Sequence, residues 1–124
     1  MKAILIDPKE ETISVVEHKG GIDSIYKLVG CRTFEAVYPF QNNDIIYVDE
    51  EGLLKDSNYS FNIKCSEGIS YPLMGNGLIV GSTEDGEDAD CSSTVEELKN
   101  IITFKGKVAI SEGDRGFTGG PYEE

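Results

Sequence analysis

The densest set of reactive side chains in this sequence is Glu84-Asp85-Gly86-Glu87-Asp88-Ala89-Asp90, with five acids in seven positions. Clustered carboxylates can hold a hard cation, so calcium is the first chemistry to test. An EF-hand loop needs oxygen ligands at its first, third and fifth positions, glycine at the sixth and glutamate at the twelfth. Counted from Asp88, Ser93 falls on the glycine position and Lys99 on the glutamate position; counted from Asp85, Ala89 falls on a ligand position. The spacing therefore fails, and a solvated acidic loop is the simpler reading. We expect no metal and no cofactor.

Other constellations are weaker. Gly75-Asn76-Gly77 with Gly81 looks like a phosphate loop, but such glycines must follow a strand and open a helix so that helix amides meet the phosphate. Here they precede an apolar strand. Nucleophilic catalysis needs a base beside a Ser or Cys, and His18 is the single histidine, set between Glu17 and Lys19 at the end of a strand, where a surface position is expected. Carboxylate pairs abound, which is why none stands out as an acid and base held across a cleft. Cys31, Cys65 and Cys91 are widely spaced with no CxxC, so buried thiols in a reducing compartment are expected, not a zinc site.

Charge says more than motif. The net charge is −12, and the excess lies in the middle of the chain: residues 33–54 hold five acids and no base, and residues 65–98 hold eight acids and no base. Such a field repels nucleic acid and anionic lipid and attracts basic partners. No apolar run approaches the length that spans a bilayer, and the apolar start, Ala3-Ile4-Leu5-Ile6, is short for an export signal, so a cytoplasmic protein is expected.

The elements that must position these acids are legible from periodicity. Gly77-Leu78-Ile79-Val80-Gly81 reads as a strand buried on both faces, and the acidic run leaves its end. Before it, strands are expected at Lys2 to Ile6, Ile13 to His18, Thr33 to Tyr38, Ile45 to Val48 and Phe61 to Cys65. Ile22, Ile25, Tyr26 and Val29 form the apolar stripe of a short helix ending at Gly30. Ser93 with Glu96, or Thr94 with Glu97, makes a capping box for a second helix, with Val95, Leu98 and Ile102 inward, Lys105-Gly106 at its end and a last strand from Lys107 to Ile110.

From Val48-Asp49-Glu50-Glu51-Gly52-Leu53-Leu54 the chain resembles an uncharacterised family, domain of unknown function number 3846, found in phages, mobile elements and gut bacteria. Leu28-Val29-Gly30, Gly77 to Gly81 and Gly86-Glu87-Asp88 continue the resemblance in order, over about residues 1–104. Lys55-Asp56-Ser57-Asn58-Tyr59 replaces a Leu-Pro-x-Asn-Arg-like stretch, and the segment after Phe104 lies outside the pattern. The resemblance implies a phage or mobile-element setting and supplies no catalytic residues.

The expectation is one α+β domain over 1–112, a mixed or antiparallel sheet of about five to seven strands with two short helices packed on one face, then a Gly-rich flexible tail at 113–124. The expected function is that of a small acidic, non-enzymatic binding protein that engages a basic host protein surface, as a counter-defence protein or nucleic-acid mimic, through Asp49, Glu50, Glu51, Glu84, Asp85, Glu87, Asp88 and Asp90. It should touch neither nucleic acid nor membrane directly. The alternative is a small-ligand protein that sequesters a nucleotide signal through Lys55, Tyr59, Lys64 and Tyr71; a metal-assisted enzyme comes third. If the strands before the two acidic turns run parallel, both turns form one face; if antiparallel, the charge divides between opposite ends.

Overall fold

The computed structural model describes residues 1–40, 42–51, 58–65 and 68–108. Its centre is β7 (Gly77–Ser82), flanked by β1 (Lys2–Asp7) and β4 (Ile45–Asp49), both antiparallel to it. Outside these lie β2 (Thr12–Glu17) and β3 (Phe34–Val37), giving the order β2-β1-β7-β4-β3, with the short β8 (Asp88–Ala89) pairing the far end of β7. A second, three-stranded antiparallel sheet has the order β6-β5-β9, from β5 (Asn58–Lys64), β6 (Ser70–Met74) and β9 (Ile102–Val108). The fold is α+β.

Alternation along the central strands divides the core into two layers. Leu78 and Val80 face Ala3 and the inward residues Ile25 and Val29 of α1 (Ile22–Val29). Ile79 faces the other way, toward Ile4, Ile6, Ile46 and Val48, where it meets Phe61 and Ile63 of β5, Ile102 of β9 and Leu98 of α2 (Val95–Ile101). Most of the expected core residues are therefore buried, in two clusters, one on each face of the main sheet, whereas Ile22 of the expected α1 stripe is exposed and Tyr26 and Val95 are half-buried. The helices correspondingly occupy opposite faces, not one face as expected. A central strand apolar on both sides can serve two layers; β7 does so, and β1 divides the same way, with Ala3 on one face and Ile4 and Ile6 on the other.

Local chemistry accounts for most boundaries. Gly30 ends α1 in the left-handed conformation (φ 79°), its N–H bonded to the Tyr26 carbonyl at 2.9 Å. Thr94 caps α2 with a complete box: its hydroxyl accepts from the Glu97 N–H while the Glu97 carboxylate accepts from the Thr94 N–H. The expected end of α2 at Lys105-Gly106 is wrong: α2 stops at Ile101, and Ile102, Thr103 and Phe104, β-branched or aromatic, enter β9. Gly106 sits instead at a register shift, where Ser60 pairs with Gly106 but Phe61 pairs with Phe104. Ser70–Met74, absent from the expected strands, is a strand in its own right. The proposed boundary at 112 and the tail at 113–124 lie outside the described residues.

Candidate functional site

The acidic run is a hairpin, not an open loop. β7 turns through Thr83–Glu87 into β8, closed by Thr83 N–H to the Glu87 carbonyl at 2.8 Å and Glu87 N–H to the Thr83 hydroxyl at 3.1 Å. Its base is fastened on two sides: the Ser82 hydroxyl donates to the Asn43 carbonyl at 2.7 Å, and the Lys2 N–H donates to Asp90 Oδ1 at 2.7 Å. The chain then passes over Gly81, where any Cβ would overlap the Asp90 carbonyl oxygen. Asp44, 1% exposed, anchors the segment leading into α2 by accepting from Ser92 N–H (2.9 Å), Ser93 N–H (2.8 Å) and the Ser93 hydroxyl (2.6 Å).

This fastening gives the eight sequence-predicted acids different roles. Glu84, Asp85 and Glu87 are exposed at the hairpin tip. Asp90 holds the β1 backbone, and Asp88 turns into the protein. Asp49, Glu50 and Glu51 stand at the opposite end of the sheet, because β4 and β7 are antiparallel. There Asp49 is 8% exposed and accepts from the Glu51 N–H, while Glu51 pairs with Arg32 at 3.0 Å. That partner raises the Arg32 pKa above its ordinary value, by the hydrogen bond first and the Glu51 charge second. The single face combining both turns does not form. The hairpin end gains other acids instead: β2 and β8 lead there into the first turns of α1, with Asp23, and of α2, with Glu96 and Glu97.

Asp88 belongs to a second constellation that sequence reasoning missed. His18, expected at the surface, is fully buried, because β8 and the start of α1 close over the end of β2. Asp88 Oδ2 lies 2.7 Å from His18 Nε2, and Asp88 Oδ1 accepts from the Tyr47 hydroxyl at 2.8 Å. On the other side of the ring, His18 Nδ1 lies 2.9 Å from Ser24 Oγ. A carboxylate can only accept, so a ring proton sits on Nε2, and in the neutral imidazole the Nδ1 lone pair then accepts from the Ser24 hydroxyl. The Gly20 N–H, 3.4 Å away, also points at Nδ1, and the Lys19 N–H donates to Ser24 Oγ at 3.2 Å. The relay Tyr47–Asp88–His18–Ser24 thus runs in one hydrogen-bond direction at each nitrogen.

Each member is held by packing. The Tyr47 ring meets Phe34 edge-on at 5.1 Å, and Phe34 meets Tyr26 of α1 at 5.5 Å. Burial, then the bond to Asp88, pushes the Tyr47 hydroxyl well above the ordinary tyrosine range, so it stays a donor. Ser24, half-buried, opens onto a cavity of about 390 Å³ that Glu17, Lys19, Asp23, Lys27 and Leu28 also line. The sequence signal available was local: Gly20-Gly21, at φ 90° and 82°, fold the chain back between His18 and Ser24. Nothing in the sequence distinguished Asp88 from its acidic neighbours.

The alternative ligand residues do not converge. Tyr59 and Tyr71 share a face of the smaller sheet with Phe61 and Ile63 between them, while Lys64 alternates to the other face. Lys55 lies outside the described residues. Tyr59 does line a cavity of about 240 Å³ with Asp7, Lys9, Asp49 and Asn76. Two carboxylates against one lysine make it a poor receptor for a nucleotide phosphate. Among the described residues, no group of three His, Cys, Asp or Glu side chains is placed to hold a metal ion. No helix of the described residues is long and apolar enough to cross a membrane.

No curated protein and no solved structure matches this chain. A family model does, over residues 1–105, which takes in both helices, the whole relay and both sheets to midway along β9. The chain belongs to the family described as Domain of unknown function (DUF3846).

Proposed function

We propose that the protein is an acidic binding protein that docks on a basic macromolecular surface through the end of the sheet carrying the β7–β8 hairpin. The observation that carries this reading is the division among the acids. Asp88 and Asp90 fix the hairpin, and the exposed Glu84, Asp85 and Glu87 are thereby presented on a fastened turn. Asp23, Glu96 and Glu97 reinforce the same end, against the exposed lysines Lys2 and Lys19. A rigid array of carboxylates loses less entropy on docking than a mobile acidic loop, and its long-range field speeds encounter with a cationic surface. The phage and mobile-element setting of the resembled family suits a host nucleic-acid-binding protein as the partner, with the array standing in for phosphates. Docking of this kind needs no catalytic step.

The test separates this end from net charge in general. Glu84→Gln, Asp85→Asn and Glu87→Gln together remove three charges from the tip; Glu10→Gln, Glu11→Gln and Glu50→Gln remove three exposed charges from the opposite end. Proteins captured from host lysate at low salt by the parent, and released at high salt, should be lost with the first variant and kept with the second. Equal loss with both, or loss with neither, would remove the hairpin end from the function.

A further inference from the structure

Binding at the acidic end does not use the relay at His18. A histidine satisfied for structure alone would need one acceptor for its N–H and one donor for its lone pair. Here the donor is the hydroxyl of a serine that lines a cavity, and the acceptor is a carboxylate itself held by Tyr47. We infer that Ser24 is a nucleophile activated by His18 as general base, and that the cavity beside it receives a small carboxylic ester.

The geometry meets the requirements of such a site in turn. The Ser24 hydroxyl is 2.9 Å from the Nδ1 lone pair, within reach for proton transfer. Asp88, 2.7 Å from Nε2, fixes the tautomer that leaves this lone pair free and stabilises the imidazolium formed when it takes the proton. In serine proteases the serine bonds Nε2 and the aspartate bonds Nδ1; here the ring is used the other way round, with the same division of roles. Ser24 stands in the first turn of α1, whose amides have no intrahelical acceptor, and the preceding Gly21 supplies no side-chain cap. In the inferred site those amides would serve as donors to the negative charge that develops on the acyl oxygen. Leu28 gives the cavity an apolar wall for a short acyl chain, and Lys19 and Lys27 bring cations to its rim.

The reaction balances without any further reagent than water. Ser24 Oγ forms a bond to the acyl carbon as its proton passes to His18 Nδ1. The ester C–O bond breaks, and the departing alkoxide takes that proton, leaving acyl-Ser24. Water then attacks the acyl carbon, gives a proton to His18 and releases the acid, and His18 returns the proton to Ser24. His18 is fully buried, so a deacylating water has poor access to Nδ1. The second half should be the slow one, and the acyl-protein should accumulate.

The experiment is covalent labelling of the full chain with a fluorophosphonate and with p-nitrophenyl acetate, followed by intact mass and peptide mapping. One adduct on Ser24 is expected in the folded protein, absent in urea and in Ser24→Ala. His18→Gln should slow labelling by a hundredfold or so, the contribution of a positioned base. Asp88→Asn should lower the maximal labelling rate at least tenfold while leaving the concentration dependence for the probe unchanged, which a merely structural defect would not do. Should His18→Gln fail to fold by near-UV circular dichroism, Asp88→Asn carries the comparison. The tip variant Glu84→Gln/Asp85→Asn/Glu87→Gln should label as the parent does, which keeps this result separate from the docking test. No adduct on Ser24 above the rate in urea, or one formed equally fast without His18 or Asp88, overturns the inference.

Discussion

Asp88 and its neighbours at the hairpin tip are equivalent in composition and opposite in structural role, and replacing Asp88 by Asn measures the difference. The native carboxylate accepts two bonds at once, from the Tyr47 hydroxyl at 2.8 Å and from His18 Nε2–H at 2.7 Å. An amide offers one oxygen and one NH₂. With its oxygen toward His18, the NH₂ faces the Tyr47 oxygen, and the tyrosine proton must leave its acceptor. With its oxygen toward Tyr47, the NH₂ faces Nε2 and forces the imidazole proton onto Nδ1, against the Gly20 N–H. Either way one bond to a charged group is lost, which costs about 1.5–3 kcal/mol. The Asp88 side chain retains 17% exposure, so water relieves part of the loss and about 2 kcal/mol remains. For a domain of this size that lowers Tm by about 8 °C. The tip variant Glu84→Gln/Asp85→Asn/Glu87→Gln should stay within about 0.5 kcal/mol of the parent, since its side chains are exposed. Thermal and urea denaturation at neutral pH measure both. If Asp88→Asn melted within a degree or two of the parent, the relay would carry no load and the reasoning would fail.

Two further outcomes concern the same end of the sheet. Stability should fall as pH rises above about 9, because Tyr47 and Cys91 ionise at ordinary values only in the unfolded chain. Burial raises both groups in the fold, with Asp88 adding to Tyr47 and Asp44 to Cys91, so the folded state holds protons that the unfolded state releases. Melting curves from pH 8 to 11 should show the decline, and Tyr47→Phe should flatten it; an unchanged slope in that variant would contradict the assignment. Gly81→Ala should cost about 3 kcal/mol or more, since the clash is with the backbone carbonyl of Asp90 and not with a flexible side chain. A stability near that of the parent would mean that the chain does not cross β7 so closely.

Where elements were legible in the sequence, one local pattern sufficed. Leu78-Ile79-Val80 is apolar at consecutive positions between two glycines, which suits a strand covered on both faces, and β7 is such a strand. The stripe at Ile25 and Val29 and the stop at Gly30 define α1, and the box at Thr94 and Glu97 opens α2. What escaped was non-local. Whether the acidic turns share an end depends on the direction of β4 against β7, which no residue of either strand encodes. Helical spacing carried Ile102 into α2, although a β-branched run and an available partner in β5 make it a strand. His18 looked like a surface residue because its neighbours Glu17 and Lys19 are charged; the groups that bury it come from the next helix and from 70 residues away.

That last distance explains how charge and chemistry come to share one hairpin. Asp88 pairs in register with Ser82, one residue past the buried run of β7, so its side chain enters the layer that α1 covers. Three residues closer to the turn, Asp85 meets only solvent. A shift of β8 by one residue would reverse the facing of Asp88 and Ala89 and break the bonds to His18 and Tyr47 together. The Thr83–Glu87 turn and the Ser82–Asn43 bond set that register. The tip that presents acids outward and the carboxylate that orients His18 are therefore fixed by the same few backbone contacts.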